Sequence, residues 1–221
     1  MRRMIALAVF SLLVSSPVMA TTITSFGNIT PNQFTATDNG NGTTTLSVNT
    51  DVNITQIFMG ALDPDALLIF TATSVGDATT LGPITTQNFV GSFSLTNQAM
   101  TFDYLSGTFG GALQLGSIGG TNSLFTSNNA GLAPLSLVSD LATLTSPESF
   151  SLSLANLTPP FGVNTYLVGG VSHTTIASFN ASFTGDADAT LNAVPEPASL
   201  VMLGSGLLGM AGAARRRIFR K

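Results

Sequence analysis

The sequence SFSLSLANL at residues 149–157 alternates apolar and polar side chains. Phe150, Leu152 and Leu154 fall on one face, and the serines between them fall on the other. The period is two rather than the 3.6 of a helix, and successive side chains of a β-strand point to opposite faces of its sheet. The stretch therefore predicts a strand with one face buried and the other in water.

The same alternation recurs in other parts of the chain. It appears in FVGSFSL at 89–95, AMTFDYL at 99–105 and SFNASFT at 178–184. ALLIFTATSV at 66–75 is apolar at both parities in its first half, which predicts a central strand. LSLVSDLATL at 135–144 leaves two interpretations open, a strand or a short helix, because three of its leucines share a helical face.

Turn-forming residues separate these segments. DNGNG at 38–42 joins two alternating runs, and its Gly and Asn residues tolerate the positive φ angles of a tight turn. Thirteen Phe residues lie between residues 21 and 193, enough to fill an apolar core. We predict an all-β fold for residues 21–193, an antiparallel β-sandwich of jelly-roll-like character with nine to eleven short strands.

The charged residues are divided between the chain ends and this body. All basic residues lie outside residues 21–193: Arg2, Arg3, Arg215, Arg216, Arg217, Arg220 and Lys221. The body holds ten acids: Asp38, Asp51, Asp63, Asp65, Asp77, Asp103, Asp140, Glu148, Asp186 and Asp188. With His173 neutral, ten acids and no base give a net charge of −10. Because phosphate groups are bound by Lys and Arg, the composition argues against nucleic acid and anionic lipid as partners of the body.

The first 20 residues have the three regions of a signal peptide. Arg2 and Arg3 precede an apolar run at 5–14, and small or modest residues lead up to Ala20. We predict export across the inner membrane and cleavage by signal peptidase after Ala20. The alternative is a retained anchor, but a bilayer core of about 30 Å needs about 20 apolar residues.

The segment at 194–221 has three consecutive parts. A short motif comes first: Val194, Pro195, Glu196 and Pro197. The uncharged, apolar stretch at 198–214 follows, and a helix of this length is about 25 Å long, enough to span a bilayer if the flanking Arg side chains reach the headgroups. The basic tail at 215–221 then stays in the cytoplasm and orients the helix. Its charged residues are Arg215, Arg216, Arg217, Arg220 and Lys221.

These three parts, in this order, resemble the PEP-CTERM sorting segment. The resemblance implies a protein exported by a Gram-negative bacterium and recognised by an exosortase, a membrane protease or transpeptidase that removes the tail. It also implies association with exopolysaccharide in a biofilm or floc matrix. Such tails accompany unrelated bodies, so the resemblance gives a destination and neither a fold nor an activity. Without it, the segment is interpreted as a single-pass C-terminal anchor.

Oxygen-rich turns are the candidate metal sites of the body. Ca²⁺ prefers carboxylate and carbonyl oxygens, and three short stretches offer them in close spacing. The candidate ligands are Asp38, Asn39, Asn41, Asp63, Asp65, Asp186 and Asp188. None of the three stretches reproduces an EF-hand loop. Ordinary Asx-rich turns are the alternative interpretation.

Candidates for catalysis are few. His173 is the only His, and GVSHT at 170–174 departs from a Gly-x-Ser-x-Gly elbow because Thr174 replaces the last Gly. The carboxylate pairs at 63/65 and 186/188 have the residue types of a glycosidase, but such pairs are common in loops. There is no Trp for sugar stacking. We therefore assign no catalytic residue.

Together these features predict a non-enzymatic protein that is exported, transiently anchored in the inner membrane, and then located at the cell surface or outside the cell. Its role is structural or adhesive, and extracellular polysaccharide is its expected partner. A Ca²⁺-dependent carbohydrate-binding or adhesion module is the first alternative, and a secreted hydrolase is the second.

Overall fold

The computed structural model describes residues 20–58, 62–128 and 135–191. These residues form twelve β-strands and no helix, which confirms the all-β prediction. The strands are β1 (Ala20–Asn28), β2 (Phe34–Asp38), β3 (Thr44–Ile57), β4 (Ala66–Leu81), β5 (Ile84–Thr96), β6 (Asp103–Ser117), β7 (Asn122–Asn128), β8 (Leu135–Val138), β9 (Leu144–Thr158), β10 (Val163–Val168), β11 (Val171–Ile176) and β12 (Phe179–Leu191). The prediction of nine to eleven short strands was too low in number and in length. Twelve strands are described, and β4 alone has 16 residues.

All described strand pairs are antiparallel. From β2 to β7 each strand pairs with the next one along the chain, so this part is a meander. β7 then pairs with β9, β9 with β12 and β12 with β2, which closes a ring of eight strands. β1 pairs with both β12 and β3, and β8 pairs with β6. Only β10 and β11 form a separate two-stranded hairpin among the described strands.

One apolar core fills the inside of the ring. The rings of Phe93 on β5 and Phe150 on β9 stack with centroids 4.0 Å apart, although these two strands are not hydrogen-bonded neighbours. Their contact therefore crosses the core, as expected where two faces of a sandwich pack together. Phe70 lies at the centre of the aromatic cluster. It contacts the rings of Phe34, Phe109, Phe125 and Phe150.

The alternating residues at 149–157 lie in β9, with the apolar ones on its inner face and the polar ones on its outer face. Phe150, Leu152 and Leu154 are buried, whereas Ser153 is exposed. The stretch at 66–75 lies in β4, between β3 and β5, as predicted for a central strand. The ambiguous stretch at 135–144 forms a strand, β8, followed by a turn, and Leu144 begins β9.

The two ends of the described body lie side by side. Ala20 at the start of β1 pairs with Thr190 near the end of β12. The rest of the predicted signal peptide, the sorting motif at 194–197, the apolar stretch at 198–214 and the basic tail lie outside the described residues. Within the described ranges, no helix is long and apolar enough to cross a membrane.

Candidate functional site

The first predicted calcium site is the turn between β2 and β3. The Asp38 carboxylate accepts hydrogen bonds from the Gly40 N–H at 3.0 Å, the Asn164 amide at 2.6 Å and the Tyr166 hydroxyl at 2.6 Å. Burial opposes ionisation of Asp38, but these three donors outweigh it and lower the pKa of its carboxyl group. The protein itself thus satisfies the oxygens that a metal ion would use.

The second predicted site, Asp63 and Asp65, is occupied by internal hydrogen bonds in the same way. The two carboxylate oxygens of Asp63 accept from the Asp65 N–H at 3.0 Å and from the Tyr104 hydroxyl at 2.8 Å. Gln98 donates to the Asp65 carbonyl at 2.6 Å and to the Asp51 carboxylate at 2.7 Å. These contacts fasten the loops at the start of β4 and the end of β5.

The third predicted site lies on β12. Asp186 and Asp188 share the outer face of that strand, as their spacing predicts. Asp188 accepts a hydrogen bond from the Ser149 hydroxyl at 3.2 Å. Across residues 20–58, 62–128 and 135–191, no three His, Asp or Glu side chains come together as a metal site. Calcium binding remains a prediction.

His173 has a specific partner that the sequence did not indicate. Its Nδ1 lies 2.9 Å from the Asp77 carboxylate, 96 residues earlier in the chain, and both side chains are partly exposed. The ring also packs on Gly42, where a side-chain carbon would lie 2.7 Å from the His173 Cβ. The β10–β11 hairpin thus packs on the β2–β3 turn and on a bulge of β4. No described hydroxyl group bonds to His173, so a nucleophile of the Ser-His-Asp type is not assembled there.

A buried polar network holds the base of the same hairpin. Thr44, Gln87 and Thr175 are almost fully buried. The Thr44 hydroxyl donates to the Ile176 carbonyl at 2.6 Å, and the Gln87 side-chain oxygen accepts from the Ile176 N–H at 3.1 Å. Since buried polar groups are stable only when they are hydrogen-bonded, this network fixes the position of β11 against β3 and β5.

Two carboxyl groups elsewhere are harder to ionise. Burial raises the pKa of Asp103, and the neighbouring Asp140 carboxylate raises it further. Burial likewise raises the pKa of Glu148, whose side chain accepts a hydrogen bond from the Leu137 N–H on β8. Among the described residues neither carboxylate has a Lys or Arg partner, because residues 20–191 contain none.

The most regular surface feature is a line of hydroxyl groups that we call the hydroxyl row. It takes one outward-facing residue from each of six neighbouring strands: Thr35, Ser47, Thr71, Ser92, Thr108 and Ser136. Each residue lies directly opposite the next in the strand register. With strands about 4.8 Å apart, the row is about 24 Å long. Asn180 on β12 lies opposite Thr35 and continues the row with an amide.

The rows on either side are also uncharged. One contains Thr37, Thr45, Thr73 and Val90. The other contains Asn49, Ile69, Ser94, Ser106 and Val138. On the side of Asn49 and Ser106, the nearest carboxylates lie one row further out, at Asp51 and Asp103. The acidic body therefore has one broad sheet face without charge.

The hydroxyl row offers donors and acceptors at a constant spacing. A hydroxyl group donates one hydrogen bond and accepts two. Thr35 and Ser47 already bond to each other at 2.8 Å, whereas Thr71, Ser92, Thr108 and Ser136 are exposed. Sequence reasoning recognised the Ser and Thr residues as strand formers but missed the row, because a row depends on the register of strands far apart in the chain.

Comparison with known proteins gives one match. The family model of the PEP-CTERM protein-sorting motif matches residues 193–217, which contain the VPEP motif, the apolar stretch and three arginines. This match confirms the resemblance and marks the segment as a C-terminal sorting signal for an exosortase, and the chain as exported. No curated protein and no solved structure matches the chain.

Proposed function

We propose that this chain is a non-enzymatic protein of the cell surface or extracellular matrix of a Gram-negative bacterium, and that its hydroxyl row binds neutral polysaccharide in a biofilm. The observation that carries this proposal is the register that aligns six hydroxyl side chains across six strands. A polysaccharide is a repeating series of hydroxyl groups. A long polymer can therefore contact many positions of such a row at once, which raises its overall affinity.

The charge of the body selects the kind of polymer. Ten carboxylates and no Lys or Arg repel an acidic polysaccharide, particularly at low ionic strength. The face around the hydroxyl row is free of charge, so a neutral glycan approaches it without that repulsion. The absence of Trp in the chain makes hydrogen bonding, and not ring stacking, the main contribution.

The test is retention of the exported protein on cross-linked dextran, a neutral glucan, and on alginate gel, an acidic one. We expect retention on dextran and little on alginate. Replacing two exposed hydroxyls of the row, Thr71→Val with Thr108→Val, should weaken retention on dextran while leaving the fold intact. Thr184→Val is the matched control, because Thr184 is an exposed threonine on β12 that lies outside the row.

Other results would contradict the proposal. If the double variant and the control were retained equally on dextran, the hydroxyl row would not be the binding surface. Retention that a chelator abolishes and millimolar Ca²⁺ restores would favour the Ca²⁺-dependent adhesion module instead. Turnover of a polysaccharide that disappears in His173→Ala would contradict the non-enzymatic part of the proposal.

The processing that we propose is removal of the tail by an exosortase at or near the VPEP motif. The mature protein would then contain no Lys or Arg, because all seven lie in the two end segments. Intact mass determination of the exported protein should give a C-terminus upstream of Arg215, and trypsin should leave the protein at full length. A released form that still ends at Lys221 would disprove tail removal.

A further inference from the structure

The turn between β2 and β3 contains the only two Asn-Gly sequences of the chain, Asn39-Gly40 and Asn41-Gly42. In such a pair the glycine nitrogen can attack the side-chain amide carbon of Asn, because glycine has no Cβ to hinder the approach. We infer that Asn41 is a site of spontaneous deamidation in the folded protein and that Asn39 is protected. The inference is independent of the proposed polysaccharide binding.

Asn39 is held at both reacting groups. Its amide nitrogen, which would leave as ammonia, donates to the hydroxyls of Thr43 at 2.9 Å and Thr45 at 3.1 Å. The attacking group, the Gly40 N–H, donates to the Asp38 carboxylate at 3.0 Å. Reaction at Asn39 requires these hydrogen bonds to break first, including one to an ionised group, which is stronger than a neutral one.

Asn41 has the opposite arrangement. Its amide oxygen accepts hydrogen bonds from the Thr43 N–H at 3.1 Å and the Thr43 hydroxyl at 2.7 Å. Two donors on this oxygen stabilise the negative charge that develops there when the amide carbon is attacked. Among the described residues, neither the Asn41 amide nitrogen nor the Gly42 N–H has a hydrogen-bond partner. The leaving group is therefore exposed and unbonded, and no hydrogen bond has to break at the attacking nitrogen, although Gly42 itself is buried against the His173 side chain.

The reaction needs only water. The Gly42 nitrogen loses its proton to solvent base and forms a bond to Cγ of Asn41. The bond from Cγ to Nδ2 then breaks, and Nδ2 takes up a proton from water and leaves as ammonia. Water opens the resulting five-membered imide at Cγ to give aspartate, or at the main-chain carbonyl carbon to give isoaspartate. The net change is one water consumed and one ammonia released.

The product adds a carboxylate beside Asp38 on an already acidic body. The oxygen that accepts from Thr43 in Asn41 is retained in aspartate, so the turn keeps its internal hydrogen bonds. Each converted molecule gains one negative charge at neutral pH, and isoaspartate also lengthens the main chain of the turn by one carbon. Conversion therefore distinguishes old from newly exported molecules by charge.

The experiment is incubation of the exported protein at mildly alkaline pH, followed by chymotryptic digestion. Chymotrypsin is suitable because cleavage after Phe34 and Leu46 releases both asparagines in one peptide. Fragmentation in the mass spectrometer then locates the mass gain of amide-to-acid conversion. We expect Asn41 to convert roughly tenfold faster than Asn39, since each intact hydrogen bond at Asn39 slows the reaction severalfold.

Two controls separate this effect from simple sequence reactivity. In protein unfolded with denaturant, both Asn-Gly pairs should convert at similar rates. Thr43→Val removes one donor to Asn41 and one acceptor of the Asn39 amide. It should therefore slow conversion at Asn41 and speed it at Asn39, and Thr43→Ser should restore both rates. Equal rates at the two sites in the folded protein, or faster conversion of Asn39, would overturn the inference.

Discussion

The hydroxyl of Tyr166 donates a 2.6 Å hydrogen bond to the carboxylate of Asp38, a residue 128 positions earlier in the chain. Tyr166 belongs to the β10–β11 hairpin and Asp38 ends β2, so this bond fastens a separate hairpin to the main sheet. The bond also raises the pKa of the Tyr166 hydroxyl, because only the protonated phenol can donate it; burial and the like charge of the Asp38 carboxylate raise this pKa further.

Tyr166→Phe should therefore loosen the hairpin without unfolding the body. The substitution keeps the ring and removes only the hydroxyl. We expect faster amide hydrogen exchange in β11 and a small decrease in Tm, because the bond is near the surface. Thr165→Val is a matched control, since its exposed hydroxyl bonds only within the hairpin, to Thr174. Unchanged exchange in both variants would mean that the buried network around Gln87 holds the hairpin alone.

The raised pKa of Asp103 predicts a pH-dependent stability. A carboxyl group with a higher pKa in the folded than in the unfolded chain stabilises the fold when protonated, and this contribution is lost as the pH rises through the folded-state pKa. At neutral pH the Asp103 carboxylate is thus unfavourable, and Asp103→Asn should increase the free energy of unfolding. Because Asp103 is partly exposed, solvent screening limits the gain to less than about 1 kcal/mol.

Denaturant titrations of Asp103→Asn at several pH values test this sign. The difference from the unsubstituted protein should be largest near neutrality. It should vanish below the ordinary Asp pKa, where both folded and unfolded chains are protonated. Asp65→Asn is the control, since Asp65 is exposed and only its backbone groups take part in the hydrogen bonds described above. A stabilisation that grows toward acidic pH would contradict the assignment.

Phe70→Ala should be among the most damaging core substitutions. Phe70 is about 1% exposed and contacts four other Phe rings. Removing a buried Phe side chain costs about 3–5 kcal/mol, because the apolar contacts are lost and a cavity remains. Val75→Ala, further along the same strand and 53% exposed, should change the free energy of unfolding by no more than about 0.5 kcal/mol. If chemical denaturation gave the same decrease in the free energy of unfolding for both variants, Phe70 would not lie in the core as its ring contacts indicate.

Gly91→Ala tests the close approach of β4 and β5. A side-chain carbon at residue 91 would overlap the Thr71 carbonyl oxygen and lie 2.7 Å from the Ala72 Cα, both of which belong to the backbone. Backbone atoms cannot move aside easily. We therefore expect the free energy of unfolding to fall by an amount at or above the upper end of the roughly 1–3 kcal/mol typical of overpacking. Thermal unfolding of the variant, with its intact mass checked first, measures this loss of stability.

Gly27→Ala is the matched control for that substitution. Its nearest contact would be the Thr184 Cγ2 atom at 3.5 Å, an ordinary van der Waals distance, and its φ is not positive. The change should be neutral or stabilising by about 0.4–1 kcal/mol, because alanine restricts the unfolded chain. A destabilisation of Gly27→Ala as large as that of Gly91→Ala would show that steric overlap with β4 is not the cause of the loss at residue 91.

The sequence by itself determined the class of fold, the buried faces of the strands and the sorting signal. These features are local: Phe150, Leu152 and Leu154 reveal their common face by a period of two, and the VPEP motif with its apolar stretch and arginines is contiguous. The acidic, Lys- and Arg-free character of the body also follows from composition alone.

Only the tertiary structure decided which polar residues act together. Asp38 with Tyr166, Asp77 with His173, and the hydroxyl row all join residues whose proximity depends on strand register. A shift of one residue in that register would turn every side chain of a strand to the opposite face, and no local pattern of Ser and Thr fixes it. Core packing selects it instead, since the observed alignment buries Phe70, Phe93 and Phe150 in contact with one another.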